Sequence, residues 1–390
     1  MWSRQSVGWQ DGRRRRDGAD APGEITGDAE SPCLNPFSED SGRQVVGPTL
    51  RACLLPSAAT KGWTPLVGAC NSSALSKIQT HTAMSVFVVG SVALDTVKTP
   101  FEEHADLLGG SASYAAVGAS FFSPVNMVGV VGDDFPEEHV EFFKSRKIDL
   151  TGLQIVAGKT FRWSGEYMLD MNVRETRSVA LNVFEHFNPV LPASYKKPSL
   201  ALLANIGPNL QNHVLDQMER PKFVIADTMD LWINIALDEL KRLLKRVDML
   251  ILNDSEARQL TQETSLIKAG MKIQAMGPKI VALKKGEHGC LLFGENGDFF
   301  SCSAYPLEDV HDPTGAGDTF AGGLAGHLAA NTKGDVTFAA LRKAVVFGSV
   351  LASYNVEQFS LERMRSLTDA DIAARYESFK LFSHFEVIED

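Results

Sequence analysis

The residues best suited to chemistry are Gly315, Ala316, Gly317 and Asp318, which directly precede an apolar run rich in small residues. This pattern predicts the start of a helix, where backbone N–H groups and the positive end of the helix dipole can meet an anion. Small residues let that anion approach the backbone closely. A carboxylate at the same point can accept the proton of a hydroxyl that attacks phosphorus. The stretch therefore predicts an anion hole formed by the three small residues, with Asp318 as the general base beside it.

Two common nucleotide-binding patterns are absent from the sequence. It contains no GxxxxGK(S/T) loop, and no GxGxxG fingerprint follows a predicted strand. The first absence excludes a P-loop phosphotransferase. The second makes a nicotinamide-dependent dehydrogenase a weak alternative.

The elements that would position this stretch alternate along the chain. Six apolar runs predict buried strands, at 85–90, 125–132, 200–206, 222–227, 247–253 and 279–286. Six other segments predict helices, at 109–122, 136–147, 209–218, 237–246, 254–263 and 318–331. Strand–helix alternation favours a mostly parallel sheet covered by helices on both faces, so the predicted fold class is α/β.

Two segments break this alternation. Residues 159–184 alternate in polarity and are rich in aromatic and β-branched residues, and residues 95–108 also have an extended pattern. We expect these separated segments to pair into a small sheet beside the main one. A flap at the carboxyl ends of the main strands would act as a lid.

Residues 1–83 differ from the rest of the chain. They are rich in Gly, Ser, Pro and Ala, and they show no sustained period of 2 or 3.6. Such a segment buries too little apolar surface to offset its loss of conformational entropy, so we expect a disordered amino-terminal extension. Its acidic residues argue against a transit peptide. Residues 84–390 are then expected to form the compact domain.

The composition limits which partners and which cellular compartment we expect for this protein. The formal net charge is −10, so neither nucleic acid nor an anionic membrane is an expected partner. No apolar run reaches the roughly 18 residues of a membrane span. The five cysteines show no CxxC or zinc-type spacing, so a disulfide or metal framework is not expected. This cysteine usage fits a reducing compartment, and we expect a cytoplasmic protein.

With its flanks, the glycine-rich stretch resembles the carboxyl-terminal signature of the ribokinase family, the pfkB-type carbohydrate kinases. Five motifs in family order carry the resemblance: VGSVALD (89–95), LLGGSASYAAV (107–117), LILNDSEARQL (250–260), LKKGEHGCLLF (283–293) and DPTGAGDTFAGG (312–323). The resemblance covers about 84–365 and implies a ribokinase-like three-layer α/β/α sandwich with a small β-sheet lid. It implies a kinase that uses ATP and Mg²⁺ to phosphorylate a hydroxyl of a sugar, sugar derivative or nucleoside.

The resemblance also implies a role for each matching residue. The catalytic residues would be Asp318, as base, and Gly315, Ala316 and Gly317, as the anion hole. The cofactor side would comprise Asn253, Glu256, Gly286, Gly289, Asp312, Thr314 and Ser349, with Glu256 orienting Mg²⁺ through water. The substrate side would comprise Asp95, Gly109, Gly110, Ser111, Arg162, Glu166 and Asn205, with Asp95 accepting hydrogen bonds from two substrate hydroxyls.

Departures from the family pattern leave the acceptor open. Tyr114 stands near the place where many sugar kinases of the family carry an asparagine, and Asn205 and Gly207 stand where ribose-specific members carry a carboxylate. Ribose is therefore not favoured. An adenosine or other nucleoside kinase is the nearest alternative, and a catalytically silent sensor of a sugar or nucleotide is a more distant one. A monovalent cation as a further cofactor and a homodimer through the lid also stay open.

Overall fold

The computed structural model describes residues 85–219, 221–332 and 334–384, so the extension expected at 1–83 lies outside the described residues. Within those ranges the strands are β1 (Val86–Val89), β2 (Ala93–Lys98), β3 (Glu103–Gly109), β4 (Val125–Gly132), β5 (Ile148–Val156), β6 (Phe161–Tyr167), β7 (Arg174–Ala180), β8 (Leu200–Leu203), β9 (Phe223–Asp227), β10 (Met249–Asn253), β11 (Ile280–Lys284), β12 (Cys290–Phe293) and β13 (Phe299–Cys302). The α-helices are α1 (Ser111–Ser120), α2 (Glu137–Ser145), α3 (Pro208–Gln217), α4 (Asp230–Ile235), α5 (Leu237–Leu244), α6 (Asp254–Thr261), α7 (Leu266–Gln274), α8 (Ala316–Asn331), α9 (Phe338–Asn355), α10 (Glu362–Ser366) and α11 (Asp369–Phe382).

The main sheet has nine strands in the order β13-β12-β11-β10-β9-β8-β1-β4-β5. Every neighbouring pair from β5 to β11 is parallel, and β12 and β13 extend the sheet as antiparallel strands. The six strands predicted from apolar runs all lie in this sheet. The prediction of a mostly parallel sheet is confirmed.

Helices cover both faces of the main sheet. The side chains of β1 pack alternately into the apolar cluster on one face and the cluster on the other. Val86 and Val88 belong to an apolar cluster with α1, α8 and α9. Phe87 and Val89 belong to a second cluster with α3, α5 and α7. Successive side chains of a strand point to opposite faces, so the fully apolar β1 is buried from both sides. The architecture is the predicted three-layer α/β/α sandwich.

A separate sheet of four strands has the order β3-β2-β6-β7. In it, β2 and β6 run parallel, and Asp95 is paired in register with Trp163. The expected pairing of the two distant segments is therefore confirmed. Its action as a lid stays a prediction.

Small residues in α8 let that helix touch α1. A Cβ on Gly322 would lie 2.1 Å from the carbonyl oxygen of Ala115, and one on Gly326 would lie 2.4 Å from that of Ala119. These distances are far below van der Waals contact, so the helix backbones approach each other only because glycine is present. The contact fixes the start of α8, with Asp318, near the start of α1.

Candidate active site

The amino end of α8 is shaped by Gly315. This residue has φ of +73°, in the left-handed region that glycine adopts without strain. A Cβ on Gly315 would also lie 2.3 Å from ring carbons of Tyr114, so the tyrosine packs directly on this turn. The turn delivers Asp318 into the first turn of the helix.

The backbone donors of this turn are not all free. The N–H of Ala316 donates to the carbonyl oxygen of Pro313 at 3.2 Å. Those of Gly315 and Gly317 donate to no backbone acceptor within the described part of the chain. The structure thus leaves two of the three predicted anion-hole groups available for a ligand.

The Asp318 carboxylate is half-buried, and its protonation is tuned by its surroundings. Its pKa is raised to about 7, chiefly by burial and then by the negative charge of Asp227. The positive charges of Lys284 and Arg174 act in the opposite direction. A carboxylate with a pKa near neutrality can take a proton from a hydroxyl and release it afterwards.

An ion pair that the sequence analysis missed lies beside this carboxylate. Lys284 Nζ lies 3.2 Å from Asp227 Oδ2, and the two side chains are 18% and 4% exposed. Burial disfavours the charged ammonium, but the charges of Asp227, Glu256 and Asp318 outweigh it and raise the pKa of Lys284. Asp227 ends β9 and Lys284 ends β11, so both stand at the carboxyl edge of the parallel sheet, where ligands bind in such folds.

Asp95 is a buried carboxylate with unused hydrogen-bonding capacity. It is 4% exposed, and its Oδ1 has no hydrogen-bond partner among the described residues. Burial, followed by the charge of Asp312, raises the pKa of Asp95 to about 8. A Cβ on Gly109 would lie 1.9 Å from Asp95 Oδ2, so the glycine is needed for the carboxylate to occupy this place. An unpaired buried acceptor of this kind suits a ligand that brings hydroxyl donors.

The residues that follow Gly109 hold the loop around Asp95. Gly110 has φ of +90° and precedes α1. The hydroxyl of Ser111 donates to the backbone oxygen of Asn205 at 2.9 Å, and Asn205 Oδ1 accepts from Trp232 Nε1 at 2.8 Å. Ser111 and Asn205 are therefore engaged within the protein, tying the start of α1 to the end of β8.

Asp312 and Thr314 form hydrogen bonds that hold the loop before α8 in place. Asp312 Oδ1 accepts from the backbone N–H of Thr314 at 2.8 Å, and Oδ2 accepts from that of Ser360 at 2.9 Å. The Thr314 hydroxyl donates to the hydroxyl of Tyr167, a residue of the small sheet, at 3.2 Å. Both Asp312 oxygens thus have structural partners, and Thr314 links the small sheet to the turn before α8.

The cofactor-side pair Asn253 and Glu256 forms a capping box at the start of α6. Asn253 Oδ1 accepts from the backbone N–H of Glu256 at 2.8 Å, and Glu256 Oε2 accepts from that of Asn253 at 2.7 Å. Glu256 Oε1 and the Asn253 amide nitrogen bond to no other group in the residues described here. Burial raises the pKa of Glu256 to about 7, so a nearby cation would stabilise its ionised form.

The remaining residues predicted for the cofactor side lie in the turn between β11 and β12 and on α9. Gly286 and Gly289 have φ of +53° and +85°, and a Cβ on Gly289 would lie 2.0 Å from the backbone oxygen of Cys302. The tight turn between β11 and β12 thus requires glycine at position 289, where the added Cβ would meet backbone atoms. The Ser349 hydroxyl donates to the backbone oxygen of Val345 at 3.0 Å, as an ordinary buried helix serine does.

Two residues predicted for the substrate side lie on the opposite face of the small sheet from Asp95. Arg162 is paired in register with Leu94, and Glu166 with Lys98, whereas Asp95 is paired with Trp163. Arg162 forms ion pairs with Asp106 and Asp134, and Glu166 forms them with Lys98 and Arg177. The structure does not bring these two side chains together with Asp95.

The face shared with Asp95 carries other side chains instead. Trp163 and Tyr167 lie on it, and Arg174 is paired in register with Tyr167. The Arg174 guanidinium carbon stands 5.3 Å from the centre of the Trp163 ring. The positive charge of Arg174 opposes the rise in the pKa of both Asp95 and Asp318.

Comparison with known proteins identifies the family to which this chain belongs. The sequence matches the family described as pfkB family carbohydrate kinase over residues 85–366, and the chain belongs to that family. The predicted enzyme class, a small-molecule kinase acting on an alcohol group, is confirmed. In the described part of the chain, no helix has the length and apolar character needed to cross a membrane.

Individual relatives include nucleoside and sugar kinases. A cytidine kinase of Thermococcus kodakarensis is 29% identical over 252 residues, covering 63% of this chain and 88% of that protein. A Burkholderia thailandensis nucleoside kinase in complex with inosine matches with a TM-score of 0.60 and 19% identity, covering 75% of this chain and 96% of that chain. Arabidopsis thaliana ribokinase complexed with ribose and ATP matches with a TM-score of 0.60 and 22% identity, covering 76% and 99%. Both structural matches support the ribokinase fold.

Proposed function

We propose that this protein transfers the γ-phosphoryl group of ATP to a hydroxyl of a nucleoside, with Asp318 as the general base. The observation that carries the proposal is the half-buried Asp318 carboxylate in the first turn of α8, whose pKa is raised to about 7. The free N–H groups of Gly315 and Gly317 beside it can bind the charged phosphoryl oxygens.

Asp95 supports a diol as the acceptor group. When ionised, its two oxygens can accept hydrogen bonds from neighbouring hydroxyls, and one oxygen has no partner in the described structure. An acceptor without these hydroxyls would leave the buried carboxylate unpaired, which disfavours its binding. The Asp95 site therefore selects a ribosyl or similar diol.

Two observations favour a nucleoside over a plain sugar. Trp163 is half-buried on the Asp95 face of the small sheet, where its ring can stack on a base. The T. kodakarensis relative, which matches over most of its length, is a cytidine kinase. Closure of the small sheet over the acceptor would then exclude water from the transfer.

The cofactor side fits ATP with magnesium. The amide nitrogen of Asn253 can donate to phosphate oxygens, and Glu256 Oε1 can hold a water of a hydrated cation. Magnesium, when bound, supplies charge neutralisation at the phosphate oxygens. The described residues contain no cluster of three or more His, Cys, Asp or Glu side chains able to hold a metal ion, which suits a cation held mainly by water and phosphate.

The proposal is tested by supplying the full-length protein with ATP, Mg²⁺ and a panel of pyrimidine and purine nucleosides, ribose, hexoses and sugar acids. Release of ADP is measured, and the phosphorylated product is identified by mass spectrometry. We expect turnover on nucleosides. Turnover on sugars alone would reject the nucleoside assignment, and ligand-induced stabilisation without any turnover would favour a silent sensor.

A further inference from the structure

A largely buried ammonium group, that of Lys284, lies directly against the predicted anion hole. A Cβ on Gly317 would lie 2.9 Å from Lys284 Nζ and 3.6 Å from Lys284 Cδ and Cε. The lysine side chain therefore packs on the Cα of Gly317, next to one of the two free N–H groups. None of the roles assigned above accounts for a cation at this place.

The ion pair with Asp227 leaves part of the ammonium unused. Lys284 Nζ lies 3.2 Å and 3.4 Å from the two Asp227 oxygens, and within the described ranges its hydrogen bonds all go to that carboxylate. Both distances are at or beyond the long end of N–H···O bonds. An ammonium has three donors, so at least one N–H is available to a further acceptor.

We propose that the Lys284 ammonium binds the phosphoryl group during its transfer, on the Gly317 side of the anion hole, and that Asp227 positions this ammonium. The inference rests on the proposed function, because it takes the Asp318 site as the place of transfer. Lys284 would be a catalytic residue that touches the reacting group. Asp227 would be a positioning residue that acts through Lys284.

The transfer exchanges one phosphorus–oxygen bond for another. The acceptor hydroxyl oxygen forms a bond to the γ-phosphorus, and its proton passes to Asp318. The bond between the γ-phosphorus and the bridging oxygen breaks, and the electron pair leaves with ADP. Lys284 keeps its proton throughout and donates hydrogen bonds to oxygens of the transferred group, where it offsets their negative charge.

A purely structural role for Lys284 would be to neutralise Asp227. Removing one partner of a buried ion pair destabilises a protein strongly, whereas replacing both by neutral groups often restores stability. The double variant Lys284→Met/Asp227→Asn therefore separates the two roles. A structural lysine becomes dispensable once Asp227 is neutral, but a lysine that holds the phosphoryl group does not.

The experiment measures kcat of the full-length enzyme with ATP, Mg²⁺ and the fastest acceptor of the panel, together with thermal unfolding. We expect Lys284→Met to lower kcat by roughly 10²–10³, as for the loss of one transition-state donor. The double variant should remain equally slow while its unfolding temperature returns towards that of the wild type. Recovery of its turnover towards the wild-type rate would overturn the proposal.

Two controls separate the possible failures. Lys279→Met removes an exposed lysine that precedes the opposite end of β11 and pairs with Glu295, and it should keep wild-type kcat. Asp318→Asn is measured in the same assay. Full turnover by Asp318→Asn would contradict the proposed function itself, whereas an inactive Asp318→Asn beside an active double variant would contradict the role of Lys284 alone.

Discussion

Replacing Asp95 by asparagine should stabilise the ligand-free protein while abolishing its use of the acceptor. Asp95 is almost fully buried, and burial followed by the charge of Asp312 raises its pKa to about 8. Ionisation of this carboxyl in the folded state is therefore unfavourable. Asparagine has nearly the same shape and carries no charge, so it removes this penalty. It also replaces one of the two accepting oxygens by an NH2 donor, so the side chain can no longer accept hydrogen bonds from two substrate hydroxyls.

The size of the effect follows from linkage between protonation and folding. The Asp95 pKa is about 8 in the folded state, whereas its ordinary value is 3.8. At a pH between these two values, the folded protein therefore holds a proton on Asp95 that the unfolded chain has lost. Stability is therefore lost as the pH rises through this window, by at most about 5 kcal/mol at pH 8 and under about 1 kcal/mol at pH 4. Because water entry and side-chain relaxation reduce the penalty, we expect Asp95→Asn to gain roughly 1–3 kcal/mol at pH 8.

Chemical denaturation of the full-length proteins at pH 4, 6 and 8 measures this gain, and turnover is assayed in parallel. The exposed Asp309 provides a matched control, since Asp309→Asn changes the same atoms without burial. Its unfolding free energy should follow that of the wild type. Equal stability of wild type and Asp95→Asn at pH 8, or a difference that does not vary with pH, would refute the reasoning.

Three further outcomes concern the acceptor side, the reacting groups and the hairpin between β6 and β7. Gly109→Ala should raise KM for the nucleoside and spare KM for ATP, because its Cβ would lie 1.9 Å from Asp95 Oδ2; a rise confined to ATP would contradict this. The kcat/KM for the nucleoside should fall as the pH is lowered, because Asp95 and Asp318 must both be ionised and have pKa values of about 8 and about 7. A plot of log(kcat/KM) against pH should approach a slope of about two below pH 7. A flat profile would count against both roles. Asn172, in the hairpin between β6 and β7, donates from Nδ2 to Glu287 Oε1 at 3.3 Å, and Glu287 lies in the β11–β12 turn predicted for the nucleotide side. Asn172→Ala removes this bond and should weaken ATP binding roughly two- to fivefold in calorimetry. Unchanged affinity would exclude a contribution of the hairpin.

The main sheet could be predicted because its central strands are continuous apolar runs. Their side chains must be buried on both faces, and this requirement is visible in the sequence without knowledge of the topology. The edge strand β5 was not predicted, since its residues Ile148–Val156 are partly exposed and form no such run. The start of α8 was placed two residues late, at Asp318 instead of Ala316, because helix boundaries depend on local hydrogen bonds.

A candidate site could be proposed from the sequence where one short segment carries the residues suited to chemistry, as at Gly315–Asp318. The pair of Asp227 and Lys284 was missed because strand order, not sequence proximity, brings it together. The sequence nevertheless contains a signal for this pair. Each of the two is a charged residue at the end of an otherwise apolar strand, Asp227 in FVIAD and Lys284 in IVALK. Arg162 and Glu166 could not be placed, because the polarity pattern of the small sheet does not show which face is turned towards Asp95.

The measurement that tests the central claim most directly compares wild type with Asp318→Asn in both turnover and ATP binding. If Asp318 is the general base, kcat should fall by roughly 10²–10⁴ while ATP affinity, measured by calorimetry, changes little. A variant that keeps wild-type turnover, or that loses ATP binding in proportion to its turnover, would contradict the assignment of Asp318 as the base.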